Sequence, residues 1–311
     1  MGKKVVMFPG QGSQYISMGK ESFDRCLNSV KCFDKASEIT GIDIKKLVFE
    51  ENMLLDKTEY TQIALYVTEM AMLADRLIEG LKYDAAIGLS LGEYSALTAS
   101  GALSYEDGVR LVRKRGIYME NEVPSGIGAM AAVLGLNADE TDNVLAEYNS
   151  KNELQDKGSE YPDIVSVANY NCPGQIVISG KKECVEEAAE QLKKAGAKRT
   201  VLLNVSGPFH SYLLKGAGEK LKNDLESINF EKIRHPYIAN CTAEYIDENT
   251  QQEYIKELLS KQVYSPVYFE QSVRKLIKDG YDIFEEIGPK KTLSAFVKKI
   301  AKSMDAEVDI L

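Results

Sequence analysis

Tryptophan is absent from this 311-residue chain, and histidine occurs only twice, as His210 and His235. A reaction that needs an imidazole therefore has two candidates. The five cysteines are scattered and have no CxxC spacing, which argues against a disulfide framework or a zinc site and fits a reducing compartment. No apolar run approaches the roughly 18 residues of a membrane span, and the N-terminus has no apolar signal region. We therefore expect a cytoplasmic protein without a metal site or a membrane contact.

Positive charge is also scarce. The chain has 38 Lys and Arg against 47 Asp and Glu, which gives a formal net charge of −9. Nucleic-acid binding needs a concentrated basic surface, so nucleic acid is not expected as the main partner. The net charge does not exclude an acidic protein partner, because a local patch can differ in sign from the whole molecule.

Strands and helices alternate along the first part of the chain. Short apolar strands are predicted at 4–8 and 84–88, and apolar residues recur at helical spacing over 60–80 and 105–122. This alternation predicts an α/β protein with a parallel sheet.

The pattern changes after residue 126. Strands and helices are predicted in the order β-α-β-β-α-β at 128–134, 137–149, 164–170, 175–179, 181–195 and 198–203, with a polar loop over roughly 150–162. This order is that of a ferredoxin-like unit. Helical periodicity returns over 211–227 and 251–279, before a strand at 282–287 and a helix at 291–302. We therefore expect a discontinuous α/β core, 1–126 and 206–311, with a small domain at 127–205 inserted into it and a ligand groove between the two.

One candidate for chemistry is Ser90, which lies in the sequence GLSLG over residues 88–92. An apolar strand precedes this segment and a helix-compatible stretch follows it, as in the G-x-S-x-G nucleophile elbow. The helix N-terminus would direct backbone N–H groups at a developing oxyanion. The alternative is that Ser90 is only a small residue in a tight turn.

A serine nucleophile needs a general base, and His210 is the better candidate. It follows a strand and a Gly-Pro turn, whereas His235 precedes a proline in a polar loop and is expected at the surface. No carboxylate that would orient the imidazole can be identified. A backbone carbonyl could serve that purpose instead.

Seven short motifs in order make the chain similar to the malonyl-CoA:acyl carrier protein transacylase family. They are FPGQGSQ at 8–14, GLSLGEY at 88–94, RG at 115–116, NCPGQ at 171–175, GPFH at 207–210, QVYSPV at 262–267 and EIGP at 286–289. Each motif is weak alone, but the ordered set spans essentially the whole chain. The resemblance implies a hydrolase-like core with an inserted ferredoxin-like domain.

The resemblance also implies an activity. A malonyl group would pass from malonyl-CoA to Ser90 and then to the phosphopantetheine thiol of an acyl carrier protein, in ping-pong order and without a cofactor. His210 would act as the base, and the backbone N–H groups of Gln11 and Leu91 would form the oxyanion hole. Fatty-acid synthesis is the expected pathway.

Three further residues receive roles through the resemblance. Arg115 would pair with the free carboxylate of malonate through its planar fork, which a lysine lacks. The backbone carbonyl of Gln262 would orient His210, and the ring of Phe209 would leave little room for a methyl branch on the acyl group. Leu89 departs from the family, in which a histidine often precedes the serine, and makes the wall beside Ser90 more apolar.

Partner binding is harder to assign from the sequence. Acyl carrier proteins are acidic, so a basic patch is expected for a transient contact. The candidates are Lys193, Lys194, Lys198, Arg199, Lys290 and Lys291. Three other functions remain open: a trans-acting acyltransferase of polyketide assembly, a serine esterase or thioesterase, and a non-catalytic carrier-binding protein.

Overall fold

A computed structural model describes residues 2–153 and 161–311, and two β-sheets organise this part of the chain. The strands are β1 (Lys3–Phe8), β2 (Ala85–Gly88), β3 (Gly128–Leu134), β4 (Val165–Cys172), β5 (Gln175–Lys181), β6 (Arg199–Leu202), β7 (Tyr237–Ile238), β8 (Tyr245–Ile246), β9 (Tyr281–Glu286) and β10 (Asp309–Ile310). The helices are α1 (Lys20–Arg25), α2 (Leu27–Thr40), α3 (Ile44–Phe49), α4 (Thr58–Ile78), α5 (Gly92–Ala99), α6 (Tyr105–Asn121), α7 (Ala138–Glu153), α8 (Lys182–Lys194), α9 (Lys215–Leu225), α10 (Gln252–Gln262), α11 (Phe269–Lys278) and α12 (Thr292–Ser303).

The larger sheet has six strands in the order β10-β9-β1-β2-β7-β8. All neighbours are parallel except β8, which returns antiparallel to β7. The central strand β1 is apolar on both faces, as expected for a parallel strand covered on both sides. Val6 and Phe8 face the helices α2, α4, α5 and α6, whereas Val5 and Met7 face α11 and α12. The protein is therefore a mixed α/β fold built on a parallel-sheet core.

The smaller sheet has four antiparallel strands in the order β4-β5-β3-β6. Alternate residues of β3 point to opposite faces, because successive side chains of a strand alternate. Ala131 and Val133 pack with α7 and α8, and Met130 joins the core of the larger unit. One face of this sheet is thus covered by α7 and α8, and the other packs on the core around the larger sheet.

Most predicted elements occur within a few residues of their expected bounds, but three predictions need correction. The segment 251–279 is two helices, α10 and α11, because Pro266 lacks an N–H and disfavours helical backbone in the residue before it. The segment 211–227 begins with a short 3₁₀ turn, Tyr212–Leu214, before α9. Strand β4 continues through Cys172, so the turn to β5 is shorter than predicted.

Some elements were not predicted, and one prediction lies partly outside the described residues. The strands β7, β8 and β10 have only two residues each, and α1 to α3 fall in a segment whose periodicity was not assigned. The polar loop expected over 150–162 is shortened by α7, which reaches Glu153, and residues 154–160 lie outside the described part. Among the described helices, none has both the length and the apolar character needed to cross a membrane.

Candidate active site

Ser90 lies at the sharp turn between β2 and α5, as the motif predicts. Its backbone φ is 56°, in the left-handed region that costs a residue with a side chain about 1–2 kcal/mol. The turn is so tight that a Cβ on Gly88 would lie 1.9 Å from the backbone of Gly92. Position 88 therefore accepts only glycine. The tight turn places the strained Ser90 at the edge of the sheet where β2 ends.

His210 is within hydrogen-bond distance of the serine. Its Nε2 lies 2.7 Å from Ser90 Oγ, and its Nδ1 lies 2.8 Å from the backbone carbonyl oxygen of Gln262. Because a carbonyl oxygen only accepts, Nδ1 carries the proton and Nε2 is free to accept the serine proton. Burial and the charge of Arg115 lower the pKa of His210 to about 4, which keeps the ring neutral near pH 7.

The second histidine takes no part in this arrangement. The His235 ring packs 4.6 Å from the ring of Tyr83, and its backbone N–H donates to the carbonyl of Ser100. The side chain is partly exposed, and it does not line the cavity next to Ser90. The structure therefore brings together Ser90 and His210 and leaves His235 apart, half-buried against Tyr83.

Arg115 is buried, with only 1% of its surface exposed, although it lies on a helix rich in basic residues. Its Nη1 donates to Gln62 Oε1 at 2.7 Å, and its Nη2 donates to Gln262 Oε1 at 2.9 Å and to Ser90 Oγ at 3.2 Å. In the described part of the chain, no carboxylate forms an ion pair with it, and its Nε has no hydrogen-bond partner. Burial lowers the pKa of the guanidinium.

The neighbouring acid Glu93 forms no ion pair with this cation. Glu93, in the first turn of α5, is fully buried, and burial raises its pKa to about 8, so the carboxyl is largely protonated at neutral pH. A buried cation without a charged partner is costly to maintain. The arrangement therefore offers a binding place for an anionic group next to Ser90.

The two predicted oxyanion donors flank the serine. Gly10 packs so closely against the turn that a Cβ there would lie 2.5 Å from the Leu89 carbonyl oxygen, which brings the loop carrying Gln11 to Ser90. Across residues 2–153 and 161–311, neither the Gln11 nor the Leu91 backbone N–H has a hydrogen-bond partner. These amides are available to an oxygen in the cavity.

The Gln262 carboxamide fixes the direction of one of these donors. Its Nε2 donates to the Ser90 carbonyl oxygen at 2.6 Å. The C=O of Ser90 and the N–H of Leu91 belong to one planar trans peptide and point in opposite directions. Because the Ser90 carbonyl is held toward Gln262, the Leu91 N–H points away from Gln262.

Ser90 and His210 open into a cavity of about 740 Å³ between the two sheets. The volume is typical of a site for a small molecule. Its walls include Leu89 and Phe209, and β3 and β5 contribute Met130 and Val177 from the smaller sheet. The groove predicted between the two parts of the chain is therefore present.

The six basic residues suggested for partner contact are all exposed. Lys290 lies at the cavity, since its Nζ donates to the carbonyl of Gly12, a lining residue, at 3.2 Å. Lys193 is paired with Glu190 on its own helix, and Lys291 donates to the backbone carbonyls of Glu286 and Leu311.

Two residues of the site were not found from the sequence, Gln62 and Asn240. Gln62 lies within the apolar run of α4 and is 1% exposed, so a polar residue in the middle of a buried helix was an available signal. Asn240 follows the two-residue strand β7, which no periodicity marks. Its contacts with the elbow exist only in the folded chain.

Comparisons with known proteins agree with one another. The family model described as "acyl transferase domain" matches residues 5–310. The malonyl CoA-acyl carrier protein transacylase of Bacillus subtilis (strain 168) is 45% identical over 305 residues, which covers 98% of this chain and 92% of that protein.

Solved structures give the same result. The crystal structure of malonyl CoA-acyl carrier protein transacylase from Clostridium perfringens is 43% identical, with a TM-score of 0.90 over 99% of this chain and 92% of that one. A malonyl-transacylase in complex with its type II polyketide synthase acyl-carrier protein is 33% identical, with a TM-score of 0.89 over 99% of this chain and 96% of that one.

Proposed function

Because the chain belongs to the acyl transferase family, we propose that it transfers the malonyl group from malonyl-CoA to the phosphopantetheine thiol of an acyl carrier protein, in the service of fatty-acid synthesis. The single observation that carries the proposal is a hydrogen-bonded serine and histidine beside a buried, unpaired guanidinium. The reaction needs no cofactor beyond its two substrates.

In the first half-reaction, Ser90 Oγ attacks the thioester carbonyl carbon of malonyl-CoA. His210 Nε2 takes the serine proton, and the Nδ1–H held by Gln262 keeps the ring in the required tautomer. The Leu91 and Gln11 amides stabilise the oxyanion of the tetrahedral intermediate. Its collapse breaks the C–S bond, CoA leaves with the proton from His210, and a malonyl ester remains on Ser90.

Arg115 selects the acyl group in this scheme. The free carboxylate of malonate pairs with the guanidinium, with which no carboxylate in the described part of the chain forms an ion pair. This pairing places the thioester carbonyl over Ser90 Oγ, since Arg115 Nη2 is 3.2 Å from that atom. Pairing also offsets the positive charge that lowers the pKa of His210, so the base becomes stronger when malonate is bound.

In the second half-reaction, the carrier thiol attacks the malonyl ester. His210 takes the thiol proton and returns it to Ser90 Oγ as the ester bond breaks. The carrier protein would approach the cavity mouth, where Lys290 supplies positive charge. The relative bound to a polyketide synthase carrier protein supports this type of partner.

The cavity position also supports the proposed domain organisation. We propose that 1–126 and 206–311 form a hydrolase-like core and that 127–205 form an inserted ferredoxin-like domain. The element order β3-α7-β4-β5-α8-β6 and the strand order β4-β5-β3-β6 support this assignment. In this organisation the small domain closes one wall of the acyl-binding site.

Mass spectrometry after incubation with malonyl-CoA tests the proposal. We expect a malonyl adduct on a peptide that contains Ser90, and its transfer to a holo-acyl carrier protein added afterwards. Ser90→Ala should form no adduct. CoA release that continues beyond one equivalent per enzyme without an acceptor would instead indicate a thioesterase, and an unmodified protein would indicate a carrier-binding role.

The carrier that accepts the malonyl group distinguishes the pathways. Comparing kcat/KM with a fatty-acid carrier protein and with a polyketide carrier protein measures this preference directly. A higher value with the polyketide carrier would assign the chain to polyketide assembly.

A further inference from the structure

Asn240 lies beside the nucleophile elbow, although it is distant in sequence. Strand β7 pairs in parallel with β2, with Tyr237 opposite Ala86. Because parallel strands end at the same edge of a sheet, Asn240 after β7 and Ser90 after β2 come together. The side chain of Asn240 is 1% exposed.

The carboxamide of Asn240 makes two short hydrogen bonds to the elbow. Its Oδ1 accepts the Ser90 backbone N–H at 2.7 Å, and its Nδ2 donates to the Gly88 backbone carbonyl at 2.7 Å. A backbone N–H only donates and a carbonyl only accepts, so the two partners fix the orientation of the amide. One planar group therefore joins the last residue of β2 to the nucleophile.

This contact acts on a strained residue. Ser90 has a φ of 56°, and a return to negative φ would rotate its Cα–Cβ bond and move Oγ away from His210. The same rotation would redirect the next peptide, which carries the Leu91 N–H. Such a conformation persists only where the surroundings determine it.

Asn240 is itself held firmly. Its backbone carbonyl accepts from the N–H of Tyr268 at 2.8 Å, and its backbone N–H donates to Glu93 Oε1 at 3.3 Å. Gln262 Nε2 lies 3.4 Å from its Oδ1. The amide that supports the elbow is thus part of the buried frame of the site.

We propose that Asn240 is a positioning residue of the acyl transfer: it holds Ser90 in its strained conformation and thereby aligns both the nucleophile with His210 and the Leu91 N–H with the oxyanion. The proposal rests on the function proposed above for this site. Asn240 touches neither the acyl group nor the reacting atoms. Its removal should therefore affect the rate of acylation far more than the binding of malonyl-CoA.

The test compares Asn240→Ala with Asn149→Ala. Asn149 is a matched control, because its carboxamide also clamps backbone, accepting from Val165 N–H at 3.0 Å and donating to Val165 carbonyl at 2.9 Å, away from the cavity. Three readouts are measured: Tm, kcat and KM for malonyl transfer, and the rate at which a small sulfonyl fluoride modifies Ser90. Because the sulfonyl fluoride has no carboxylate, its rate reports the reactivity of Ser90 independently of malonate binding.

For Asn240→Ala we expect kcat to fall about 10- to 100-fold, the size of effect that a misplacement of roughly 1 Å produces, with KM within about twofold of wild type. Sulfonylation should slow by a similar factor. Asn149→Ala should lower Tm and leave all rates per folded molecule unchanged. Asn240→Asp keeps the acceptor for Ser90 N–H and loses the donor to Gly88, so its rates should be intermediate; it also serves if the alanine variant does not fold.

Wild-type rates in folded Asn240→Ala, or equal losses in Asn149→Ala, would overturn the proposal. So would wild-type rates in Asn240→Asp if that variant alone folds. A wild-type protein that is sulfonylated on Ser90 but transfers no malonyl group would refute the proposed function. In that case the sulfonylation rates still test the role of Asn240 by themselves.

Discussion

Replacing Arg115 should separate malonyl transfer from acetyl transfer. Malonyl-CoA and acetyl-CoA differ by one carboxylate, and Arg115 is the buried cation that faces the serine. In Arg115→Ala the carboxylate loses a two-bond, charge-assisted contact. Each such bond contributes about 1.5–3 kcal/mol. Two such bonds contribute about 3–6 kcal/mol, and we take the lower part of this range, about 3–4 kcal/mol, because binding weakens the bonds from Arg115 to Gln62 and Gln262.

This free energy corresponds to a fall of about 10²- to 10³-fold in kcat/KM for malonyl-CoA. Acetyl transfer should fall by less than about tenfold, because the acetyl group makes no contact with the guanidinium and only its bonds to Ser90, Gln62 and Gln262 are lost. The loss of Arg115 also removes a charge that lowers the pKa of His210, which partly offsets the damage to the site. Arg115→Lys should stay impaired with malonyl-CoA, because an ammonium lacks the planar fork.

The assay measures initial rates of transfer to one carrier protein from each donor. Arg113→Ala is the matched control, since Arg113 lies on the same helix but pairs with Glu59 and packs over the ring of Tyr60. That variant should keep both activities. Equal losses of malonyl and acetyl transfer in Arg115→Ala would refute the carboxylate pairing and indicate a purely structural arginine.

Two further predictions concern the base and the cavity wall. The pKa of His210 is lowered to about 4, so the neutral, active imidazole persists well below pH 6.5 and is lost only as the pH falls through about 4. A pH profile of kcat/KM with an acid limb near 6.5 would contradict this prediction. Phe209 lines the cavity, so Phe209→Ser should make room for a methyl branch on the acyl group. The ratio of methylmalonyl to malonyl transfer should then rise by about 10- to 200-fold, which is the discrimination that one methylene group provides in an apolar pocket. An unchanged ratio of the two kcat/KM values would exclude Phe209 as a selectivity residue.

Elements with a clear hydrophobic periodicity could be predicted from the sequence. Helix α6 buries one face, whereas α4 is buried on all sides over 61–71, and the predicted bounds of both helices lie within about two residues of the observed ones. The strands β7 and β10 are two residues long and form only because a neighbouring strand offers hydrogen bonds. No local pattern can mark such short elements.

The site was predictable where a residue type is scarce or a motif is strained. Ser90 stands in a glycine-flanked turn, and His210 is one of only two histidines. Arg115 could not be selected by physical reasoning from its neighbours Arg113 and Lys114, because burial depends on the packing of α6 against α4. The family resemblance selected it, and the structure places its guanidinium at the serine. The contacts of Asn240 needed the fold itself.

Gln262 makes three contacts that constrain how such an enzyme could change its substrate. Its main-chain carbonyl meets His210, its side-chain oxygen meets Arg115, and its amide nitrogen meets the Ser90 carbonyl. Replacing Arg115 to accommodate a neutral acyl group would also disturb Gln262, because the two side chains are hydrogen-bonded. Gln262 in turn holds His210 and the Ser90 peptide. Wall residues such as Phe209 and Leu89 make none of these shared contacts. Acyl preference should therefore change first through substitutions of the cavity wall. Arg115, Ser90 and His210 should change only together.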